Sequence, residues 1–166
     1  MALSRARGDA PPDKIASVER GAGSWLTRRA TLSLDGEEAD MDDRETRAAL
    51  DRHWQASDAG DFAAEHDIYG ADAVLEYPQS GERIRGRDNI RQSRAAQPNA
   101  KRFQVRRVIG AGDLWVTELI MTYDATPFCT VSIMEFADGK VVRETQYFAA
   151  PFAPSPSRAR WVEPIR

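Results

Sequence analysis

The chain has 166 residues, 42% of them hydrophobic, a length and apolar content that suit one domain with its own core. Its 23 Lys and Arg against 26 Asp and Glu leave a net charge of −3, too small to mark a nucleic-acid partner. No run approaches the about 18 apolar residues of a membrane span, and no secretory leader pattern is visible, so a cytoplasmic location is expected.

Residues 1–40 mix Gly, Pro, Ala and charged residues without period, and the apolar pair Trp25-Leu26 has no partner run nearby. Such a segment buries too little surface to offset its ordering entropy. Two readings stay open: a disordered tail, or an extension upstream of a true start at Met41. The acids from Asp9 to Glu38 argue against a transit peptide. The folded unit is expected over 41–150, followed by a Pro-rich tail over 151–166.

Asp42 and Asp43 place negative charge at the start of a helix, and Leu50 and Trp54 recur at helical spacing. Ala59-Gly60 ends it, and Asp61 can cap a short second helix running through Tyr69 and closed by Gly70. A strand is expected from Ala73 to Tyr77, then a loop through Pro78, Gly81 and Gly86. A third helix begins near Arg87, carries Ile90 and stops before Pro98. The arginines between Arg83 and Arg107 are interrupted by acids and apolar residues, which reads as a solvated face.

Four strands follow: Phe103 to Ile109, Leu114 to Tyr123, Phe128 to Phe136 and Val141 to Phe148. Gly110-Ala111-Gly112-Asp113 and Asp138-Gly139 are hairpin turns, the second of type I′. Cys129 is the single cysteine, so no intrachain disulfide forms; its apolar strand suggests a small hydrophobe. Helices segregated from antiparallel strands make an α+β fold. On the second of these strands Trp115, Thr117, Leu119, Met121 and Tyr123 share one face, and Val116, Glu118, Ile120 and Thr122 share the other. Both faces are largely apolar, which calls for cover on both sides.

Arg52-His53-Trp54, Asp58-Ala59-Gly60-Asp61, Tyr69, Asp72-Ala73, Tyr77-Pro78, Gly86-Arg87 and Ile90 follow one another at a spacing that resembles the ketosteroid isomerases of the nuclear-transport-factor-2-like superfamily, and Glu144-Thr145-Gln146-Tyr147-Phe148, Ala150-Pro151-Phe152 and Arg160-Trp161-Val162-Glu163 resemble its SnoaL-like bacterial branch. The similarity covers roughly residues 45 to 150 and extends to ketosteroid isomerases and polyketide cyclases. It implies a cone-shaped curved mixed or antiparallel sheet wrapped around the N-terminal helices, open at one end. It also implies a homodimer paired through the outer sheet face.

In the isomerases a carboxylate base precedes the mouth proline, a tyrosine donor stands on the first helix, and a protonated acid stands on a central strand. The matching positions here are Tyr77, His53, and Cys129 or Val131. All three differ, and a phenol with a pKa of about 10 is a poor base, so steroid isomerisation by that route is disfavoured. His53 lies on the buried stripe of the first helix, either as a core histidine bonded to a carbonyl or as a general base.

Tyr77 is either a wall residue or a neutral donor to developing oxyanion charge. The resemblance turns Glu144, Gln146 and Phe148 inward; Glu144 is then a rim ion pair or a tuned acid, and Gln146 a carbonyl donor. With Trp54, Gln79, Leu119, Met121 and Tyr123 they make the expected pocket wall. His66, between Glu65 and Asp67, reads as exposed. The two histidines have no metal-ligand spacing, and no cofactor motif occurs. Three readings remain: an isomerase, cyclase or dehydratase acting by acid/base chemistry on a carbonyl compound without a cofactor, a binding protein for a small organic molecule, or a dimerisation module.

Overall fold

A computed structural model describes residues 35–165, with side chains from Asp42 onward; the expectation for Trp25 and Leu26 lies outside the described residues. Helix α1 runs from Asp35 to Ala59 and so begins before Met41. Glu37, Glu38 and Ala39 are strong helix formers that prolong it without needing an apolar stripe. Gly60, at φ 72°, ends the helix in the left-handed region.

Asp61 caps α2, Phe62–His66, by accepting from the Ala64 N–H at 3.1 Å. The second helix is therefore shorter than expected. Tyr69 and Gly70 instead open strand β1, Tyr69–Tyr77, because Tyr69 pairs with Val141 of the last strand. A short strand β2, Glu82–Arg85, forms where a loop was expected, antiparallel to β1. Its four residues contain only Ile84 as an apolar signal, too little for periodicity to register. Helix α3 is Arg87–Ala95 and ends ahead of Pro98.

The remaining strands are β3 Lys101–Ala111, β4 Leu114–Tyr123, β5 Thr126–Ala137 and β6 Lys140–Ala149. The six strands lie in the order β2-β1-β6-β5-β4-β3, with β1 and β6 parallel and every other pair antiparallel. The result is a mixed α+β fold with a curved, unclosed sheet. Register shifts between Val105 and Arg107 and between Glu135 and Phe136 bend the long strands.

Asp138 and Gly139 adopt φ 51° and 70°, as a type I′ turn requires. The β4–β5 turn repeats this at Asp124 and Ala125, φ 48° and 84°, where the Ala side chain gives no sequence signal. Asp124 is held there by the Ala100 N–H at 2.8 Å and by Asn99. Gly110 is needed for space: a Cβ there would stand 2.4 Å from the Leu114 carbonyl oxygen and 2.7 Å from the Trp115 backbone.

The core joins Leu50 and Trp54 of α1, Ile90 of α3, Leu75 of β1 and Leu119, Met134 and Val141 of the sheet. Trp115, Thr117, Leu119 and Met121 are buried on the inner face, as alternation predicts. That parity also corrects two expectations. Thr130 and Ser132 point inward, so Cys129 is exposed, and neither it nor Val131 can stand for the strand acid. On the outer face Val116 and Ile120 are half-buried, and Ile109 and Tyr147 are exposed. Among the described residues, no helix is long and apolar enough to cross a membrane.

Candidate active site

Three helices and the inner sheet face bring together a buried polar cluster. Arg94, in the last turn of α3, follows Ile90 by four residues and turns to the same inward side. Its Nη1 donates to Glu65 Oε1 at 3.0 Å and its Nη2 to Glu144 Oε2 at 2.8 Å. Glu144 is fully buried and accepts three further bonds, from Tyr69 OH, Ser132 Oγ at 2.7 Å and Gln146 Nε2 at 2.6 Å. Burial pushes the Glu144 carboxyl up, but the Arg94 charge and these donors outweigh it and hold the group below the usual range. Burial likewise opposes the charge on Arg94, and Tyr69, Glu144 and Glu65 together keep it protonated.

Glu144 is thus a buried ion pair, not a rim one. Arg94 is the exception to the solvated arginine face, with only 13% of its side chain exposed. His66 is buried as well, its Nδ1 bonded to the Phe62 carbonyl at 2.7 Å. Burial lowers its pKa.

Beside this cluster lies a cavity of about 230 Å³. Trp54, Phe62, Phe103 and Met121 give it an apolar wall; Glu65, Tyr77, Arg94, Tyr123 and Gln146 supply polar groups. Lys101 and Asp58 stand at its border, but both are engaged. Lys101 donates to the Arg94 carbonyl at 2.8 Å, and Asp58 accepts from Arg102 at 2.8 and 3.0 Å. Burial pushes the Tyr77 hydroxyl up to about 12, so it remains a donor at neutral pH.

His53 is placed otherwise than its proposed role requires. Its Nδ1 lies 2.7 Å from the Glu65 carbonyl oxygen, and its ring packs edge-on against Trp54 and Tyr69. The ring contributes nothing to the cavity wall. Burial, then the Arg94 charge, lower its pKa to about 4. It is a neutral core histidine bonded to a carbonyl, out of reach of a proton on a ligand. Of the other expected wall residues, Trp54, Tyr77, Met121, Tyr123 and Gln146 line the cavity, Glu144 stands behind it, and Leu119 is core. Gln79 is exposed and fastened to the Phe148 backbone, accepting its N–H at 2.6 Å and donating to its carbonyl. Both line a separate outer hollow.

Residues 50–144 match the family model of the SnoaL-like domain. The chain belongs to the SnoaL-like family. An NTF-2 like protein of unknown function from Burkholderia xenovorans LB400 is 54% identical, with a TM-score of 0.73 over 76% of this chain and 99% of that one. A proposed ketosteroid isomerase from Kribbella flavida shares 24% identity and a TM-score of 0.69, over 75% of this chain and 93% of that one. An LEH-like epoxide hydrolase from M. tuberculosis shares 22% identity and a TM-score of 0.55, over 63% of this chain and 83% of that one. The last two likenesses speak for the fold. Among curated proteins, none matches the chain.

This SnoaL-like cavity contains two functional candidates that sequence reasoning missed, Glu65 and Arg94. The Ile90-to-Arg94 spacing is a signal that could have found the arginine. A five-residue helix offers no periodicity to reveal Glu65. No group of three His, Cys, Asp or Glu is placed to hold a metal among the described residues.

Proposed function

We propose that this SnoaL-like protein binds a small, uncharged carbonyl compound in its cavity and moves a proton on it. Glu65 accepts the proton, and Tyr77 donates a hydrogen bond to the resulting oxyanion. One observation carries the reading: Glu65, Tyr77, Arg94 and Gln146 line one cavity whose other wall is aromatic. The ligand is uncharged where it meets Glu65, because Arg94 is already matched by two carboxylates and Lys101, bonded to a neutral backbone carbonyl, stands at the border. An anionic group at that inner end would meet acids with no free counter-charge beside it. The reaction class is then enolisation of a ketone, the step shared by isomerisation, cyclisation and dehydration next to a carbonyl.

A second reading, binding without turnover, is favoured by the ion pair between Glu65 and Arg94, which already occupies one of the carboxylate oxygens. One experiment separates the two. A panel of aryl and alicyclic ketones in D2O is followed by NMR for ligand binding and for exchange of the protons next to the carbonyl. Exchange that is accelerated by the wild type and lost in Glu65→Gln supports catalysis. Binding with no exchange leaves the binding protein, and a panel in which nothing binds defeats both.

A further inference from the structure

The cavity has a neighbour. An outer hollow of about 590 Å³ opens on the far side of Tyr77, Arg94, Gln97 and Tyr123, and these four residues line both spaces. The partition between them is made of side chains. Tyr77, Arg94, Gln97 and Tyr123 compose it, each facing both spaces. Gln97 is exposed and lies between α3 and β3, ahead of Pro98.

The two linings differ in chemistry. The inner cavity is walled by Trp54, Phe62, Phe103 and Met121. The outer hollow adds Ser80, Glu82 and Ser93. Its Gln79 is fixed on the Phe148 backbone and acts as a rigid border. The cation facing it, Arg94, is already committed to Glu65 and Glu144. The outer space therefore offers hydrogen-bond donors and acceptors but no positive charge to spare.

We infer that the two hollows are halves of one elongated site, which takes an internal ketone with an apolar ring on one side of its carbonyl and an uncharged, hydroxyl-bearing tail on the other. The inference rests on the carbonyl reading above. It follows from where the donor stands: Tyr77 forms part of the partition, so a carbonyl that reaches its hydroxyl has substituents in both chambers. An aldehyde or a simple methyl ketone leaves the outer chamber empty.

Affinities of acetophenone, 4-hydroxy-1-phenylbutan-1-one and 4-oxo-4-phenylbutanoate for the full chain test this by ligand-observed NMR. The hydroxylated ketone is expected to bind about tenfold tighter than acetophenone, and the carboxylate no tighter. In Ser93→Trp, which fills the outer hollow from α3, the affinity ratio of the first two ketones should fall to about one. Ser80→Trp does the same from the opposite border and replaces Ser93→Trp if that variant fails to fold. Equal binding in the wild type, or an advantage that survives both blocks, overturns the inference while acetophenone binding leaves the carbonyl reading standing. A carboxylate that gains as much as the alcohol overturns the uncharged tail. If no probe binds, the carbonyl reading falls and the inference with it.

Discussion

Replacing Arg94 by Met tests whether the site is organised by one cation between two acids. The change removes the charge that faces Glu144, which is fully buried, and Glu65, which is 4% exposed. Glu144 retains Tyr69, Ser132 and Gln146 as donors, whereas Glu65 loses its bond from Arg94. Breaking a buried pair by removing one partner costs about 3–5 kcal/mol, a large share of the about 5–15 kcal/mol that holds a domain together.

The dependence on pH should also weaken. In the wild type the folded-state pKa of Glu144 is depressed, so its contribution is present above the ordinary value of 4.5 and is lost as pH falls below it. Without Arg94, burial is opposed only by the remaining donors, and the folded pKa rises relative to the wild type, so acidification from neutral pH to about 4.5 should cost the variant less stability than the wild type. Urea unfolding followed by tryptophan fluorescence at the two pH values measures both effects. A loss under about 1 kcal/mol at neutral pH, or equal pH slopes for the two proteins, would refute the account.

Three further outcomes are expected. The wild type should lose stability as pH falls from 6.5 toward 4, because unfolded His53 takes up a proton that the folded state refuses; the depressed value of about 4 makes this about 3 kcal/mol, with His66 acting in the same direction. Denaturation of His53→Gln across that range should show a shallower slope. Gly110→Ala should lower stability by about 1–3 kcal/mol in a urea titration, since the new methyl meets backbone atoms; an unchanged midpoint would contradict the close approach. We propose that a second copy of the chain covers the outer sheet face around the half-buried Ile120, so Ile120→Arg should give monomers or aggregates. Wild-type protein that sediments as a monomer at micromolar concentration would dispose of the homodimer.

The four long strands were legible because each is long enough for alternation to show; alternation grouped Glu144 with Gln146, and the resemblance turned that face inward. Glu144 was read correctly as needing a partner, yet the partner was hidden. Arg94 sits among Arg87 and Arg91 on a helix whose composition is that of a solvated surface. Tertiary contact with two acids decides its burial. Glu65 and His66 were obscured for a related reason: a one-turn helix packed on its neighbours buries residues whatever their polarity. His53 was correctly placed on the buried stripe, but burial alone cannot tell a residue facing a cavity from one sealed against a carbonyl. The start of β1 was missed because Tyr69 owes its strand conformation to Val141, more than seventy residues further along.

That same pairing sets the order in which the molecule can be built. The sheet from β3 to β6 is a run of hairpins, each closed over a short turn, and can zip up locally. The first strand forms a local hairpin only with the short β2; to join the long strands it must find the last one, in parallel, across the whole intervening chain, and the entropy of closing that loop is met before any contact offsets it. Tyr77 comes with the first strand and Gln146 with the last. The site is therefore complete only once this long-range pairing is made, with Tyr77 brought to Gln146 from opposite ends of the fold.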